Sequence, residues 1–321
     1  MHAFHRRAVL AALAAVPFAF SHAQGFPNKP IRIIVPFTAG GGSDAAARYF
    51  GDKLGEVLQQ PMLVENRPGG VSGSIGTLAV KAAPADGYTL LVGSSSPMVI
   101  NPVVVKDLPY DPSKDFKPVG GLTKNTTAIV VPAGSPYKVL AELVSASQKD
   151  PKLNAGTASA GFHLAAAWFG NTAGFQFTHV PYKGLNQALT DLAGNNLDWA
   201  IVDLAGATPL LQSGRIRALA VTDEKRHPGF PNVPTVVESG FRDYIYNTWT
   251  SFHVRADTPN DVTRTLAVAL QKVLHTDAAR DYARKAGTEL LPLGPEEFAS
   301  YQKTELDRFQ RVANAAGMKP Q

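Results

Sequence analysis

The chain has no cysteine among its 321 residues. That excludes a disulfide framework, thiol chemistry, a cysteine-held metal and a lipid-bearing cysteine behind a leader. It also lacks any long run of one charge. Lysine and arginine number 31 against 26 acidic residues, with no basic block, so nucleic acid is not an expected partner. Beyond the first twenty residues no further apolar stretch is long enough to span a bilayer. The usual catalytic signatures are missing too. No serine stands in a Gly-x-Ser-x-Gly elbow. The histidines beyond the N-terminal segment are His163, His179, His227, His253 and His275, none paired at i,i+4, and there is no His-Glu-x-x-His. No acidic cluster suggests the paired carboxylates of glycoside chemistry. No metal and no cofactor is expected.

What is present begins with an export signature. His5-Arg6-Arg7 precede an apolar stretch from Ala8 to Phe20, and Ser21-His22-Ala23 fits the small-x-small cleavage pattern. Residues 1–23 read as a signal peptide, with a mature chain starting near Gln24, and the arginine pair is compatible with Sec or twin-arginine export. Losing Arg6 and Arg7 takes 31 basic residues to 29 against 26 acidic ones, so the net charge falls from +5 to +3. An exported chain without cysteine fits the bacterial periplasm, which supplies no NAD. The length left, roughly 300 residues, suggests two domains.

The most informative stretch runs from Pro30 to Arg48. Ile31, Ile33, Ile34 and Val35 form a short buried strand between prolines, and Tyr49, Leu54, Val57 and Leu58 mark an amphipathic helix. Between them lies Phe37-Thr-Ala-Gly-Gly-Gly-Ser-Asp44. Glycines let the backbone approach a bound group, and the first N–H groups of the helix need an acceptor, so the loop suits an anion. A β-branched residue at Gly41 is expected to resist a positive φ there. A rival reading takes Gly40-x-Gly42-x-x-Ala45 with Glu65 as a dinucleotide fingerprint. Against it, Pro36-Phe37-Thr38-Ala39 separate the glycines from the strand end.

The theme repeats. Met62–Asn66 is a second strand followed by Arg67-Pro-Gly-Gly-Val-Ser-Gly-Ser-Ile-Gly76, and Asp86–Gly93 a third followed by Ser94-Ser-Ser-Pro97. In an open parallel sheet such loops gather at the carboxyl ends of the strands, where ligands bind. Asn101-Pro102 and Leu108–Pro118 read as an extended, proline-pinned connection. Ala128–Pro132, Leu153–Gly161, Phe177–Gly184, Leu197–Asp203 and Ile216–Val221 are further strand candidates, with helices over Tyr137–Lys149, His163–Phe169 and Leu185–Ala193. They suggest a second α/β unit over about 125–246. Thr248–Val254 is another strand, and helices at Pro259–Leu274, Asp277–Lys285 and Pro295–Ala315 return to cover the first unit.

The motifs together resemble one family over nearly the whole mature chain. They are Ile33-Ile-Val-Pro-Phe37 with Gly41-Gly-Ser-Asp44 and Arg48, Val64-Glu-Asn-Arg-Pro-Gly-Gly70, and Asp86-Gly-Tyr-Thr-Leu-Leu91. Leu108-Pro-Tyr-Asp111 with Asp115-Phe116, His163-Leu164, His179-Val-Pro-Tyr-Lys-Gly184, Arg217-Ala-Leu-Ala-Val221, Pro234-Thr235 with Glu238 and Gly240, and Trp249 complete the set. The chain is similar to the Bordetella-uptake-gene (Bug/TctC-like) extracytoplasmic solute receptors of tripartite tricarboxylate transporters. The resemblance implies a type II, Venus-flytrap periplasmic binding protein whose two α/β lobes are each a mixed sheet flanked by helices. Residues 24–124 and 247–321 would form lobe one, and 125–246 lobe two.

It also implies a monomeric, non-enzymatic receptor that holds an organic acid (a dicarboxylate, tricarboxylate or aromatic carboxylate) and serves a membrane permease. Phe37, Thr38, Ala39, Gly40, Ser94 and Ser95 would contact the ligand from lobe one. Thr157, Ala158, His163, Tyr182, Gly184 and Asp203 would face it from lobe two. Two departures from the family pattern stand out. The loop before His163 is short and carries Phe162, which leaves the lobe-two hydroxyl open between Thr157 and Ser159; Ser251 stands where relatives tend to have glycine. Phe37 or Phe162 could stack on an aromatic ligand or belong to the core, and Trp249 reads as core. The alternative function is a periplasmic oxidoreductase using the glycine loop.

Overall fold

The computed structural model describes residues 25–317 and residue 320; the expected signal peptide and the new N-terminus at Gln24 lie outside them. Three parallel strands open the chain, β1 (Ile31–Val35), β2 (Met62–Asn66) and β3 (Thr89–Ser94), in the order β2-β1-β3. Helices α1 (Gly42–Leu58) and α2 (Ser74–Lys81) supply the crossovers. The apolar run that predicts β1 leaves Ile31, Ile33, Ile34 and Val35 fully buried, and α1 lays Ala46, Ala47, Phe50 and Leu54 against this sheet.

After β3 the expected extended connection is instead partly helical. Ser96–Ile100 forms a π-helical turn that runs into α3 (Asn101–Val104), and α4 (Pro112–Asp115) follows after a short coil. Proline is compatible with this because Pro97 and Pro102 sit at first-turn positions, where no amide hydrogen is needed.

The central element is β4 (Phe116–Pro132), far longer than the Ala128–Pro132 strand read from the sequence. Its first part, Phe116–Thr126, pairs antiparallel with β9 (Asn247–Arg255), which also pairs with β3. From Thr127 onward it pairs with β7 (Trp199–Asp203) and β8 (Ile216–Val221) instead. One strand therefore belongs to two sheets and joins two lobes. The second sheet continues through β5 (Asn154–Thr157) and β6 (Thr178–Pro181), parallel to each other and to β7 where they pair. Its helices are α5 (Leu140–Lys149), α6 (Ala160–Ala173), α7 (Leu185–Ala193) and α8 (Leu204–Gln212), the last carrying Pro209 and not anticipated from the sequence.

Helices α9 (Asn260–Leu274) and α10 (Asp277–Ala286) return to the first lobe, where Leu266, Leu270 and Val273 join its core. Strand β10 (Thr288–Leu290) adds to the edge of β4. Helix α11 (Pro295–Ala315) does more than cover the first unit. Phe298 packs edge-to-face on Trp249, while near the far end Asn171 of α6 donates to the Ala315 carbonyl oxygen at 3.1 Å. No helix among the described residues is long and apolar enough to cross a membrane.

Candidate functional site

The carboxyl ends of β1 and β3 and the starts of α6, α7 and α8 face one another across the β4–β9 crossing. A cleft between them has two parts. An inner chamber of about 70 Å³ is walled by both lobes, and an outer chamber of about 670 Å³ opens beyond it. Phe37, Thr38, Ala158 and Ser159 border both, so they form a neck between the two.

The inner chamber is built largely of donors. Gly41 caps α1 without any side-chain bond, because Asp44 is turned away. Its carboxylate accepts from the Gly40 N–H (2.9 Å), the Asn66 amide (2.9 Å) and the Arg48 guanidinium (3.1 Å). The first amides of α1, at Gly42 and Ser43, therefore meet no side-chain acceptor and lie at the chamber wall. Helix α7 starts the same way after Gly184, again without a side-chain cap, and Leu185 and Asn186 line the wall. Two helix N-termini, one from each lobe, thus turn their positive ends toward one small space.

Hydroxyl and indole groups add to them. Ser94 and Ser95 are buried, and among the described residues their side chains make no hydrogen bond. The buried Trp249 lines the chamber, and its indole N–H is likewise without an acceptor. A buried donor with no acceptor costs about 1–3 kcal/mol.

Among the described residues the one ionisable side chain on the inner wall is Asp203, at the end of β7. Burial pushes its carboxyl up to about 6, opposed by the Thr248 hydroxyl, which donates to Oδ1 at 2.7 Å. The Asn125 amide donates in turn to Thr248 Oγ1 at 3.4 Å. The two crossing strands are thereby tied to the wall of the second lobe.

The outer chamber has a different character. His163 and His179 stack face to face, with centroids 3.7 Å apart and planes 3° from parallel. His179 Nε2 shares a 2.6 Å hydrogen bond with Thr157 Oγ1. Burial holds His163 below the usual histidine range and His179 down to about 4, with its stacked neighbour adding to the second shift. Tyr182 lines the same wall and donates to Asp191 at 2.7 Å.

The residues singled out from the sequence thus distribute between two compartments. Phe37, Thr38, Ser94, Ser95, Ala158, Gly184 and Asp203 line the inner chamber, while Thr157, His163 and Tyr182 line the outer one. Ala39 and Gly40 line neither and are exposed, and the Gly40 amide is already given to Asp44. The glycine run presents Gly41 to Ser43 instead. The expectation of a positive φ at Gly41 is corrected: Gly41 has φ −86°, and the left-handed residue is Gly40 at +84°. Of the two candidate hydroxyls, Ser159 borders both chambers and also accepts from Ser96 Oγ at 3.1 Å, whereas Thr157 is held by His179.

Asn125, Thr248, Thr250, Leu185 and Asn186 were not anticipated. The density of polar residues in Asn247-Thr-Trp-Thr-Ser251, within a strand otherwise read as buried, is a signal that could have marked a cleft wall. Phe162 and Trp249 combine both roles weighed for them. Each is buried, with Phe162 edge-to-face on Tyr246, and each borders the chamber. Glu65, the acid required by the dinucleotide reading, is held by Arg32 (2.8 Å) and Arg67 (2.6 Å) on β2, away from the cleft.

Comparison with known proteins agrees with this architecture. Residues 46–318 match the model of the tripartite tricarboxylate transporter family receptor. A Pseudomonas sp. (strain P51) protein from the tcbD-tcbE intergenic region is 33% identical over 96% of this chain and 93% of its own length. BugT of Bordetella pertussis is 29% identical, covering 92% of each chain. Among solved structures, an R. palustris protein with adipate superposes with a TM-score of 0.89 at 32% identity, covering 92% of this chain and all of that one. MatC from Rhodopseudomonas palustris with bound malate gives 0.84 at 28% identity, covering 89% and 99%. The fold is that of the two-lobed periplasmic binding proteins.

Proposed function

The chain belongs to the tripartite tricarboxylate transporter receptor family, and from that premise we propose that it is a periplasmic receptor for an organic carboxylate. It captures the acid between its lobes and delivers it to the family's membrane permease, acting by binding and release without chemical conversion. The leader 1–23 would be removed on export. Residues 24–124 with 247–321 form one lobe and 125–246 the other, and the change of partner along β4 at Thr126–Thr127 supports that division. The receptor works as a monomer.

One observation carries the reading. Uncapped helix starts from both lobes, free serine hydroxyls and an orphaned indole N–H surround one small chamber that, among the described residues, has no arginine or lysine in its wall. Such a space favours an acceptor-rich group of carboxylate size and needs both lobes to complete it. Phe37, Thr38, Gly41 to Ser43, Ser94 and Ser95 would hold the carboxylate from the first lobe, with Ala158, Gly184 and Asp203 closing the wall from the second. Thr157, His163 and Tyr182 would meet the rest of the ligand. The relatives solved with adipate and malate support the same ligand class.

Isothermal titration of the mature chain with mono-, di- and tricarboxylates tests it. At least one acid is expected to bind with a Kd well below about 1 mM. Binding no better than that across the panel would refute the receptor reading.

A further inference from the structure

Resting on that receptor reading, we propose that the outer chamber is a subsite for a second anionic group of the ligand, and that His163 takes up a proton to receive it. The ligand class is then an elongated or ring-spaced diacid. One carboxylate sits among the inner donors, and the other lies beyond the neck at Phe37, Ala158 and Ser159.

Geometry separates the two histidines. His179 spends Nε2 on Thr157, whereas neither ring nitrogen of His163 has a hydrogen-bond partner among the described residues. His163 is therefore the less satisfied of the pair, with both ring nitrogens open where His179 has one already bonded. It borders a chamber of about 670 Å³, far larger than a single carboxylate requires. The charges facing it are few. His179 comes from β6, and Tyr182 and Lys183 from the segment after β6. Ser72 precedes α2, and Gln187 belongs to α7. Among the described residues none lining the chamber is acidic, and Asp191, behind Tyr182, accepts from the Tyr182 hydroxyl. Lys183 is exposed at the rim and has no ion pair among the described residues.

Burial keeps both imidazoles neutral at pH 7 while the chamber holds no anion. Protonating His163 in that state would place a charge in a desolvated site beside His179, with Lys183 adding repulsion. A ligand carboxylate supplies the missing negative partner, so binding and proton uptake become linked. The stacked arrangement admits one new charge and discourages two, which confines the uptake to one proton.

The test is calorimetry of the mature chain in phosphate and in Tris buffer, whose ionisation enthalpies differ. The probes are the diacids succinate, adipate and terephthalate, with the monoacids hexanoate and benzoate alongside. The expected result is that a diacid binds with uptake of up to one proton beyond that seen with its monoacid counterpart. Its affinity should fall by up to about tenfold per pH unit from pH 6.5 to 8. His163→Gln should lose that extra uptake and bind the diacid more weakly. Lys183→Met should weaken the diacid several-fold while keeping the uptake. Comparing each diacid with its monoacid cancels any titration of Asp203. Acids that bind with no diacid-specific uptake, or uptake that persists in His163→Gln, overturn the inference and leave the receptor reading standing. If His163→Gln fails to fold, the wild-type diacid–monoacid difference still decides. No binding by any acid overturns the receptor reading itself.

Discussion

Gly184 of the second lobe lies against Thr38 of the first, and a single methyl group added there tests whether ligand affinity depends on that contact. Gly184 has an extended backbone (φ −173°, ψ 161°) that alanine adopts without strain. A Cβ at this position would lie 2.6 Å from Thr38 Oγ1 and 3.5 Å from Thr38 Cγ2, where ordinary contact begins at 3.4 Å. The contact is therefore about 0.8 Å too short at the hydroxyl. Thr38 must leave its rotamer, at about 0.5–1.5 kcal/mol, or the lobes must part slightly. A penalty of about 1–2 kcal/mol on the closed form weakens apparent affinity by about 5- to 30-fold, because ligand binds the closed state. Calorimetry of Gly184→Ala with the tightest-binding acid reads the loss, and thermal melts should show an unimpaired fold. Thr38→Ala removes Oγ1 and Cγ2, so in that background Gly184→Ala should cost little, giving a coupling of about 1 kcal/mol. An equal cost in both backgrounds, or no cost at all, would refute the closure argument.

Three further outcomes follow from the same geometry. Gly40→Ala should destabilise by about 1–2 kcal/mol because φ is +84°, whereas Gly41→Ala, at φ −86° with only the Thr38 carbonyl oxygen at 3.9 Å, should stay within about 0.5 kcal/mol; urea unfolding compares them. Trp249→Phe keeps most of the ring but removes the orphaned indole N–H. It should weaken carboxylate binding by about fivefold if that donor serves the ligand, and an unchanged Kd would remove it from the site. Asp203 should make the ligand-free protein lose stability as pH rises. Its folded pKa of about 6 exceeds the ordinary 3.8, so the folded state holds the proton more tightly and the penalty grows between those values. Asp203→Asn should therefore gain up to about 3 kcal/mol over wild type at pH 8 and little at pH 4, measured by urea unfolding; a gain independent of pH would contradict this.

Local order was legible in the chain because it depends on neighbours in sequence. The apolar run at Ile31–Val35 and the alternation of strand and helix patterns gave β1, β2, α7 and β8 at their observed bounds. The glycine loop before α1 announced a helix start whose first amides need an acceptor, with Ser43 or Asp44 as candidate caps; in the structure neither side chain caps it. Other features depend on residues distant in sequence. The chain could not show that β4 would pair with β9 up to Thr126 and with β7 and β8 from Thr127 on. Only Ala128–Val131 is an apolar run; Phe116–Thr126 carries Lys117, Pro118, Gly120, Gly121, Lys124 and Asn125, so its strand character rests on the partners it meets. The same limit hid Asn125 and Thr248, whose hydrogen bonds run to residues brought near by the crossing. Which glycine takes the left-handed turn was likewise decided by tertiary contact. Asp44 is drawn to Arg48 and Asn66, receives the Gly40 amide and so leaves the first amides of α1 open to the chamber. His163 and His179 lie on different elements in the sequence, and only the parallel pairing of β5 with β6 sets their rings face to face.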